Sequence, residues 1–169
     1  MWDRICFFLS IAFALTGWSL VASRYLWPWL SARGRTEALH PILLLHSFRF
    51  LGLAFLIPGV VSTELPSAFA HAAALGDIVA ATLALAALLM ERRAVGLLVA
   101  WMFNLWGFAD ILNAFVQAGS SGLLPGQLGA TYFLPTMVVP LLLVTHVLVF
   151  RILLKHQRPV MTRGNLHPA

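Results

Sequence analysis

The chain has 169 residues, of which 60% are hydrophobic and only 10% are charged, and its mean hydropathy is +0.88. Soluble domains carry about 25% charged residues, so this composition predicts a multi-pass membrane protein without a separate soluble domain. The net charge of +5 does not indicate nucleic-acid binding, because the basic residues flank apolar stretches and would face lipid headgroups there. The single cysteine, Cys6, excludes an internal disulfide and the paired-cysteine motifs for metals or haem attachment.

Five apolar stretches predict five transmembrane helices, because each approaches the ~20 residues that cross a bilayer. They cover about residues 5–22, 41–61, 67–90, 94–117 and 131–154. The first is expected to be a retained helix rather than a signal peptide, since no small-residue cleavage site ends it and basic residues follow it. The predicted fold class is an all-α integral membrane bundle, with one domain over residues 1–154. Residues 155–169 are basic and are expected to form a disordered cytoplasmic tail.

Three prolines help to place the helix ends and bends. Pro28 is expected to end the first helix, in a link rich in tryptophan. Pro41 suits the first turn of the second helix, where a missing N–H group leaves nothing unsatisfied. Pro140 lies within the fifth helix and is expected to kink it.

Basic residues predict the orientation in the membrane. The links after the second and fourth helices contain none, whereas the other two links and the C-terminal end contain several. These are Arg24, Arg33, Arg35, Arg92, Arg93, Arg151, Lys155, Arg158 and Arg163. By the positive-inside rule, the N-terminus is expected outside and the C-terminus in the cytoplasm.

Polar side chains inside the predicted spans mark the first candidate site. Asp77 and Asn104 are expected near the middle of the bilayer, with Arg49 a few ångströms away in depth and Asp110 in the outer half. Charges at such depths are costly unless paired, so we expect Arg49 to pair with Asp77, with Asp110 as a competitor. Two interpretations stay open. The four residues form a ligand or proton site, or the ion pair only fixes how the helices pack.

Two histidines form the second candidate site. His46 on the second helix and His146 on the fifth are expected at similar depth. Two facing imidazoles could hold the iron of a haem b, or another metal ion if a third ligand were present. The alternative is that each histidine forms a separate hydrogen bond with a neighbouring carbonyl or hydroxyl group.

A polar stripe on the fourth helix marks the third candidate site. Trp106, Asp110, Asn113 and Gln117 recur at spacings of four, three and four, and Tyr132 and Thr136 lie at the same outer depth on the fifth helix. Such a stripe could line a water-filled vestibule that opens to the outside. The alternative is hydrogen bonding between helices, which is common in membranes.

Three segments of the last three helices carry a resemblance. They read PSAFAHAAALGD (66–77), FNLWGFADILNA (103–114) and YFLPTMVVPLLLVTH (132–146). They resemble segments of uncharacterised bacterial multi-pass membrane proteins, which often show Trp-Asn where this chain has Phe103-Asn104. The resemblance implies a bacterial inner-membrane location and no particular activity, so it assigns no catalytic residue.

The sequence contains no HExxH, GxSxG, Walker or GxGxxG motif, which argues against an enzyme. The favoured hypothesis is a small transporter, channel or ligand-binding membrane protein that uses the buried arginine, aspartates and asparagine. One alternative is an accessory or assembly subunit of a membrane complex, and another is a haem b redox subunit that uses the two histidines. Membrane lipids are expected partners, together with a second copy of the chain or a larger complex.

Overall fold

The computed structural model describes residues 2–155, and five long helices make up most of that part of the chain. They are α1 (Trp2–Ser31), α2 (Arg35–Leu56), α3 (Ser67–Leu89), α4 (Ala94–Ser120) and α5 (Leu134–Leu154). Each is long and apolar enough to cross a membrane, which confirms the prediction of an all-helical chain with five candidate spans. The predicted tail, residues 155–169, lies outside the described residues except for Lys155.

α1 extends beyond the predicted residues 5–22 at both ends. It contains one π-helical turn, Ala22–Leu26, and continues as an α-helix over Trp27–Ser31. The predicted helix end at Pro28 is therefore wrong. Pro28 lies in the first turn of the segment that follows the π-helical turn.

The same arrangement recurs in α5, where the π-helical turn Leu134–Val138 precedes Pro140. A proline has no N–H group and displaces the carbonyl four residues earlier. In a π-helical turn each carbonyl accepts from the N–H group five residues later, as Leu134 does from Val139. The turn therefore provides a helical path past the proline, and neither helix ends there.

α2 begins at Arg35, before the predicted start at Pro41, and ends at Leu56, before the predicted residue 61. Pro41 lies inside the α-helical part. Because proline has no N–H group, the carbonyl of Glu37, four residues earlier, loses its intrahelical donor. Both Pro41 and Glu37 are exposed. The early end follows from a turn at Pro58 and at Gly59, whose φ of +84° favours glycine.

The last nine residues of α2, Phe48–Leu56, form a 3₁₀-helix. A 3₁₀-helix has three residues per turn, so side chains at i and i+3 lie directly above one another. Arg49, Gly52 and Phe55 therefore lie on one face, and all three are buried. This local change of helix type directs Arg49 into the bundle.

α3 packs between α2 and α4, and α5 packs against both of those helices. The buried face of α3 is built mainly from small residues, which let neighbouring backbones approach closely. It consists of Phe69, Ala70, Ala73, Ala74, Gly76, Ala80, Ala81, Ala84 and Ala87. α1 lies at the periphery against α5, and no residue of its Trp2–Val21 segment is buried.

Two apolar clusters of buried residues lie at different heights in the bundle. The first includes Leu43, Ala84, Phe103 and Val149, and the second includes Phe55, Phe69 and Leu128. Along each of the four inner helices, the polar residues of the candidate site lie between the residues of the two clusters. The polar site therefore lies at mid-height, with apolar packing above and below it.

Candidate functional site

Arg49 lies at the centre of the bundle, and its side chain is only 2% exposed. Its Nε and Nη2 lie 2.7 and 2.6 Å from Oδ1 of Asp77, and Nη2 also lies 2.7 Å from Oδ2 of Asp110. Its Nη1 lies 3.2 Å from the carbonyl oxygen of Gly107 and 3.3 Å from Nε2 of His146. Of the five N–H donors of a guanidinium group, four form hydrogen bonds, with acceptors on α3, α4 and α5.

The structure places the four residues of the predicted ligand or proton site in one connected group. Asp77 and Asp110 do not compete for Arg49, because Asp77 accepts a hydrogen bond from Nε and Asp110 accepts one from Nη2. Asn104 does not touch the arginine and is connected to it through His146. His146, which the sequence suggested as a haem ligand, thus belongs to the charged group.

The contacts of His146 define its tautomer. Nδ1 lies 2.8 Å from Oδ1 of Asn104, an acceptor, so Nδ1 carries the proton. Nε2 then has a free lone pair, which accepts from the Nη1–H of Arg49. A chain of hydrogen bonds therefore runs from the two carboxylates through Arg49 and His146 to Asn104, whose Nδ2 is buried without a partner.

His46 has separate partners. Its Nε2 lies 2.9 Å from Oγ1 of Thr145. That hydroxyl donates to the carbonyl oxygens of Leu141 and Leu142, at 2.9 and 3.0 Å, so it accepts from Nε2–H of His46. Nδ1 of His46 is buried and has no partner.

The two histidines do not fit a haem. The ring centres of His46 and His146 are only 4.4 Å apart, and both side chains are fully buried. An axial ligand lies about 2 Å from its metal, and a porphyrin would also have to pass between the rings. Nε2 of His146 faces the cation of Arg49, which would repel a metal ion. Within residues 2–155, no group of three or more His, Cys, Asp or Glu is arranged to hold a metal.

Three glycines make room for this polar group. A methyl group at Gly52 would overlap the carboxylate of Asp77, and one at Gly76 would overlap that of Asp110. At Gly107 it would lie 2.6 Å from Cε1 of His146, closer than carbon atoms approach. Each glycine thus receives a polar side chain from another helix. The sequence analysis assigned none of these three glycines to the candidate site.

An apolar cavity of about 80 Å³ ends at the charged group. Arg49, Asp77 and Asp110 form its polar end. The remaining walls come from all five helices and from the segment before α5, and they include Phe7, Phe55, Phe69, Ile111, Phe115, Leu128, Pro135 and Val139. The cavity extends toward the end of the bundle where α3 begins and α4 ends.

The residues predicted to line an outer vestibule do not line this cavity, apart from Asp110. At 100° per residue, Gln117 lies about a quarter-turn, and Trp106 and Asn113 about a third of a turn, from the middle of the buried face of α4. Trp106 and Asn113 are accordingly exposed. The rest of the stripe therefore does not line this cavity, whose walls on α4 are formed by the apolar face beside the stripe.

Two further residues of the predicted vestibule, Thr136 in α5 and Tyr132 just before α5, have partners nearby. Thr136 donates from Oγ1 to the carbonyl oxygen of Tyr132 at 2.7 Å. The ring of Tyr132 packs against that of Phe7, with centres 5.9 Å apart. Neither side chain faces the cavity.

These features define a helical bundle in which a buried arginine, hydrogen-bonded through all three of its nitrogens, lies among helices that are long and apolar enough to span a membrane. The chain belongs to the family described as Domain of unknown function (DUF8737), whose model matches residues 6–154. The matched region contains the charged group, the three glycines and the cavity. Neither a curated protein nor a solved structure matches the sequence.

Proposed function

We infer that this is a multi-pass membrane protein that binds a small cationic ligand at the carboxylates of Asp77 and Asp110. The observation that carries this inference is the position of both carboxylates at the end of a cavity with aromatic walls. The N-terminus lies outside and the C-terminus in the cytoplasm, so the cavity is directed outward. The resemblance noted above supports a bacterial inner membrane as its location.

The charge of the buried group supports a cationic ligand. One arginine and two aspartates, beside a neutral His146, leave a surplus of one negative charge. An uncompensated charge in a low-dielectric interior is costly. A proton or a bound cation at the carboxylates would neutralise the group.

The accessible atoms point to the same ligand class. The side chains of Asp77 and Asp110 are 21% and 9% exposed, whereas that of Arg49 is 2% exposed. A ligand in the cavity therefore meets carboxylate oxygens before it meets the guanidinium group. Phe7, Phe55 and other aromatic residues of the walls favour an organic cation, because ring faces attract positive charge.

The cavity volume limits the size of the bound group. An engineered cavity of ~150 Å³ accommodates benzene, and this cavity has about half of that volume. By the same proportion it holds a group of about three non-hydrogen atoms, which is the size of methylammonium or dimethylammonium. A larger ligand would have to place the rest of its structure along the cavity toward the outer end of the bundle.

The test is a thermal unfolding experiment on the detergent-purified protein with methylammonium, tetramethylammonium and choline. We expect a saturable rise in Tm with at least one of these cations, equivalent to about 1.4 kcal/mol at ten times Kd. The neutral isostere of choline, 3,3-dimethyl-1-butanol, and sodium chloride at equal concentration should have no such effect. Uptake of the responding cation into proteoliposomes then distinguishes a transporter from a binding protein.

Two variants assign the effect to the site. Asp77→Asn and Asp110→Asn should each abolish the rise in Tm, whereas Glu64→Gln, an exposed carboxylate in the loop before α3, should retain it. No response to any of the three cations, or an unchanged response in both Asp variants, would contradict the inference.

A second candidate role is assembly with another membrane chain. The observation that favours it is the exposed side chain of Asn113 on α4, a helix long and apolar enough to span a membrane. A lipid-facing amide is unfavourable, and asparagine commonly forms hydrogen bonds between helices in membranes. This role would be that of a homo-oligomer or of an accessory subunit in a larger complex.

A further inference from the structure

A second cavity lies at the opposite end of the bundle from the first and has a volume of about 370 Å³. It lies between the first turns of α2 and α4, and both of those helices pack on α3. Arg35 and Arg93 line its mouth, and Leu43, Ala87 and Ala100 line its interior. It therefore combines a basic entrance with an apolar interior.

Among the described residues, no carboxylate lies within ion-pair distance of either arginine at the mouth, Arg35 or Arg93. Nη2 of Arg35 donates to the carbonyl oxygen of Lys155 at 3.3 Å. Nε of Arg35 is buried without a hydrogen-bond partner. Glu91, on the same wall, accepts from Nδ1 of His40 at 2.9 Å. The mouth therefore has a surplus of positive charge and one donor without an acceptor.

Two helix N-termini add to this positive potential. α2 follows Gly34 and α4 follows Arg93, and neither helix has a side-chain cap at its N-terminus. The first N–H groups of a helix lack intrahelical acceptors, and the helix dipole places partial positive charge there. Both helices begin at the cavity mouth, so an anion there would accept hydrogen bonds from backbone and side-chain donors together.

The interior of the cavity suits a hydrocarbon chain. Leu39 and Leu43 of α2 face Leu97 and Ala100 of α4 across the gap, and Ala87 of α3 forms the floor. The small side chains of Ala87 on α3 and Ala100 on α4 leave space between the larger side chains of the two neighbouring helices. Few soluble anions carry an apolar group that would fill it.

We propose that this cavity binds an anionic membrane lipid, with its phosphate between Arg35 and Arg93 and part of one acyl chain along Leu43 and Ala100. The basic end of the bundle would then lie at the cytoplasmic leaflet, where anionic lipids attract arginine and lysine. This site is independent of the cationic ligand site, because the two cavities share no lining residue.

The experiment is a thermal unfolding titration of the purified full chain with phosphatidylglycerol, compared with phosphatidylcholine at equal mole fraction. We expect saturable stabilisation by phosphatidylglycerol only. Arg35→Gln and Arg93→Gln should each weaken its apparent affinity about tenfold, since a charge-assisted hydrogen bond contributes that much. Arg92→Gln is the matched control, because Arg92 is exposed in the same turn but does not line the cavity.

Three results would overturn the proposal. Equal stabilisation by the two lipids would show that the head-group charge is not recognised. Equal weakening by Arg92→Gln would indicate diffuse attraction to the surface and no site. Stabilisation by inorganic phosphate without any effect of phosphatidylglycerol would exclude a lipid as the ligand. If Arg35→Gln does not fold, Arg35→Lys, which keeps the charge but not the planar donor group, is used in its place and should also weaken binding.

Discussion

Each of the three guanidinium nitrogens of Arg49 forms a hydrogen bond, and this arrangement depends on residues that carry no side chain. Gly52, Gly76 and Gly107 each leave the volume that a carboxylate or an imidazole from a neighbouring helix fills. A buried charge is tolerated only when hydrogen bonds and counter-charges replace the lost solvent. The glycines therefore contribute to the energetics of the charged group as directly as the aspartates do.

We predict that Gly76→Ala lowers the free energy of unfolding by roughly 1–3 kcal/mol, because overpacking a tight contact has a cost of this order. The added methyl group would displace the carboxylate of Asp110 from Arg49. The measurement is Tm in detergent. The control is Gly17→Ala, at a glycine within α1 where an added Cβ would meet no atom within 4 Å apart from its own helix backbone and its chain neighbours, so we expect no loss of stability. A stable Gly76→Ala variant would show that Asp110 does not need its present position.

At the scale of the helices, the sequence predicts which segments are helical better than it predicts where each helix begins and ends. A run of about 20 apolar residues is a local property, so all five helices could be located from composition. The length of α1 could not be predicted in this way. The helix continues past Pro28 because of a π-helical turn, and no residue type in the sequence indicates such a turn. The 3₁₀ segment of α2 has the same origin, because packing against α3 and not local propensity selects it.

The candidate site was predictable in part for a similar reason. Charged residues inside apolar stretches are visible in the sequence, and Arg49, Asp77 and Asp110 do come together. Which face of a helix points inward depends on how that helix is rotated, and a sequence without homologues leaves this undetermined. The polar stripe of α4 was for this reason placed in a vestibule, although Asn113 lies on the exposed surface.

That exposed surface of α4 leads to a prediction about assembly. In a Cys6→Ser background, Val116→Cys should form disulfide-linked dimers on mild oxidation in membranes. Val116 is exposed one turn after Asn113 on the same helix, so this variant keeps the asparagine that would form hydrogen bonds with a second helix. The control is Phe8→Cys, at an exposed position near the start of α1. This variant should stay monomeric on denaturing gels. Equal cross-linking at both positions would indicate random collision in the membrane rather than an interface.

At the scale of the whole molecule, the two cavities approach the charged group from opposite ends but do not meet. Phe103 and Leu43, both almost fully buried, belong to the apolar cluster that separates the second cavity from the charged group. The bundle therefore has distinct ends, one with an aromatic cavity and one with a basic cavity. The proposed orientation gives each end its own side of the membrane.

This orientation can be tested with two single-cysteine variants in the Cys6→Ser background. Thr63→Cys, in the exposed loop between α2 and α3, should react with a membrane-impermeant maleimide in intact spheroplasts. Arg92→Cys, in the exposed turn between α3 and α4, should react only after lysis. Labelling in the opposite pattern would reverse the topology and place the aromatic cavity toward the cytoplasm.

The pairing of Arg49 with Asp77 also bears on how the protein is made. An arginine at the centre of an isolated helix opposes its insertion by about 2.5–3.5 kcal/mol, and α2 would meet this cost if it left the translocon alone. Only a short loop separates α2 from α3, and the two helices are in direct contact. Release as a hairpin would let each charge enter the lipid already accompanied by its partner, so biogenesis of α2 should depend on the synthesis of α3.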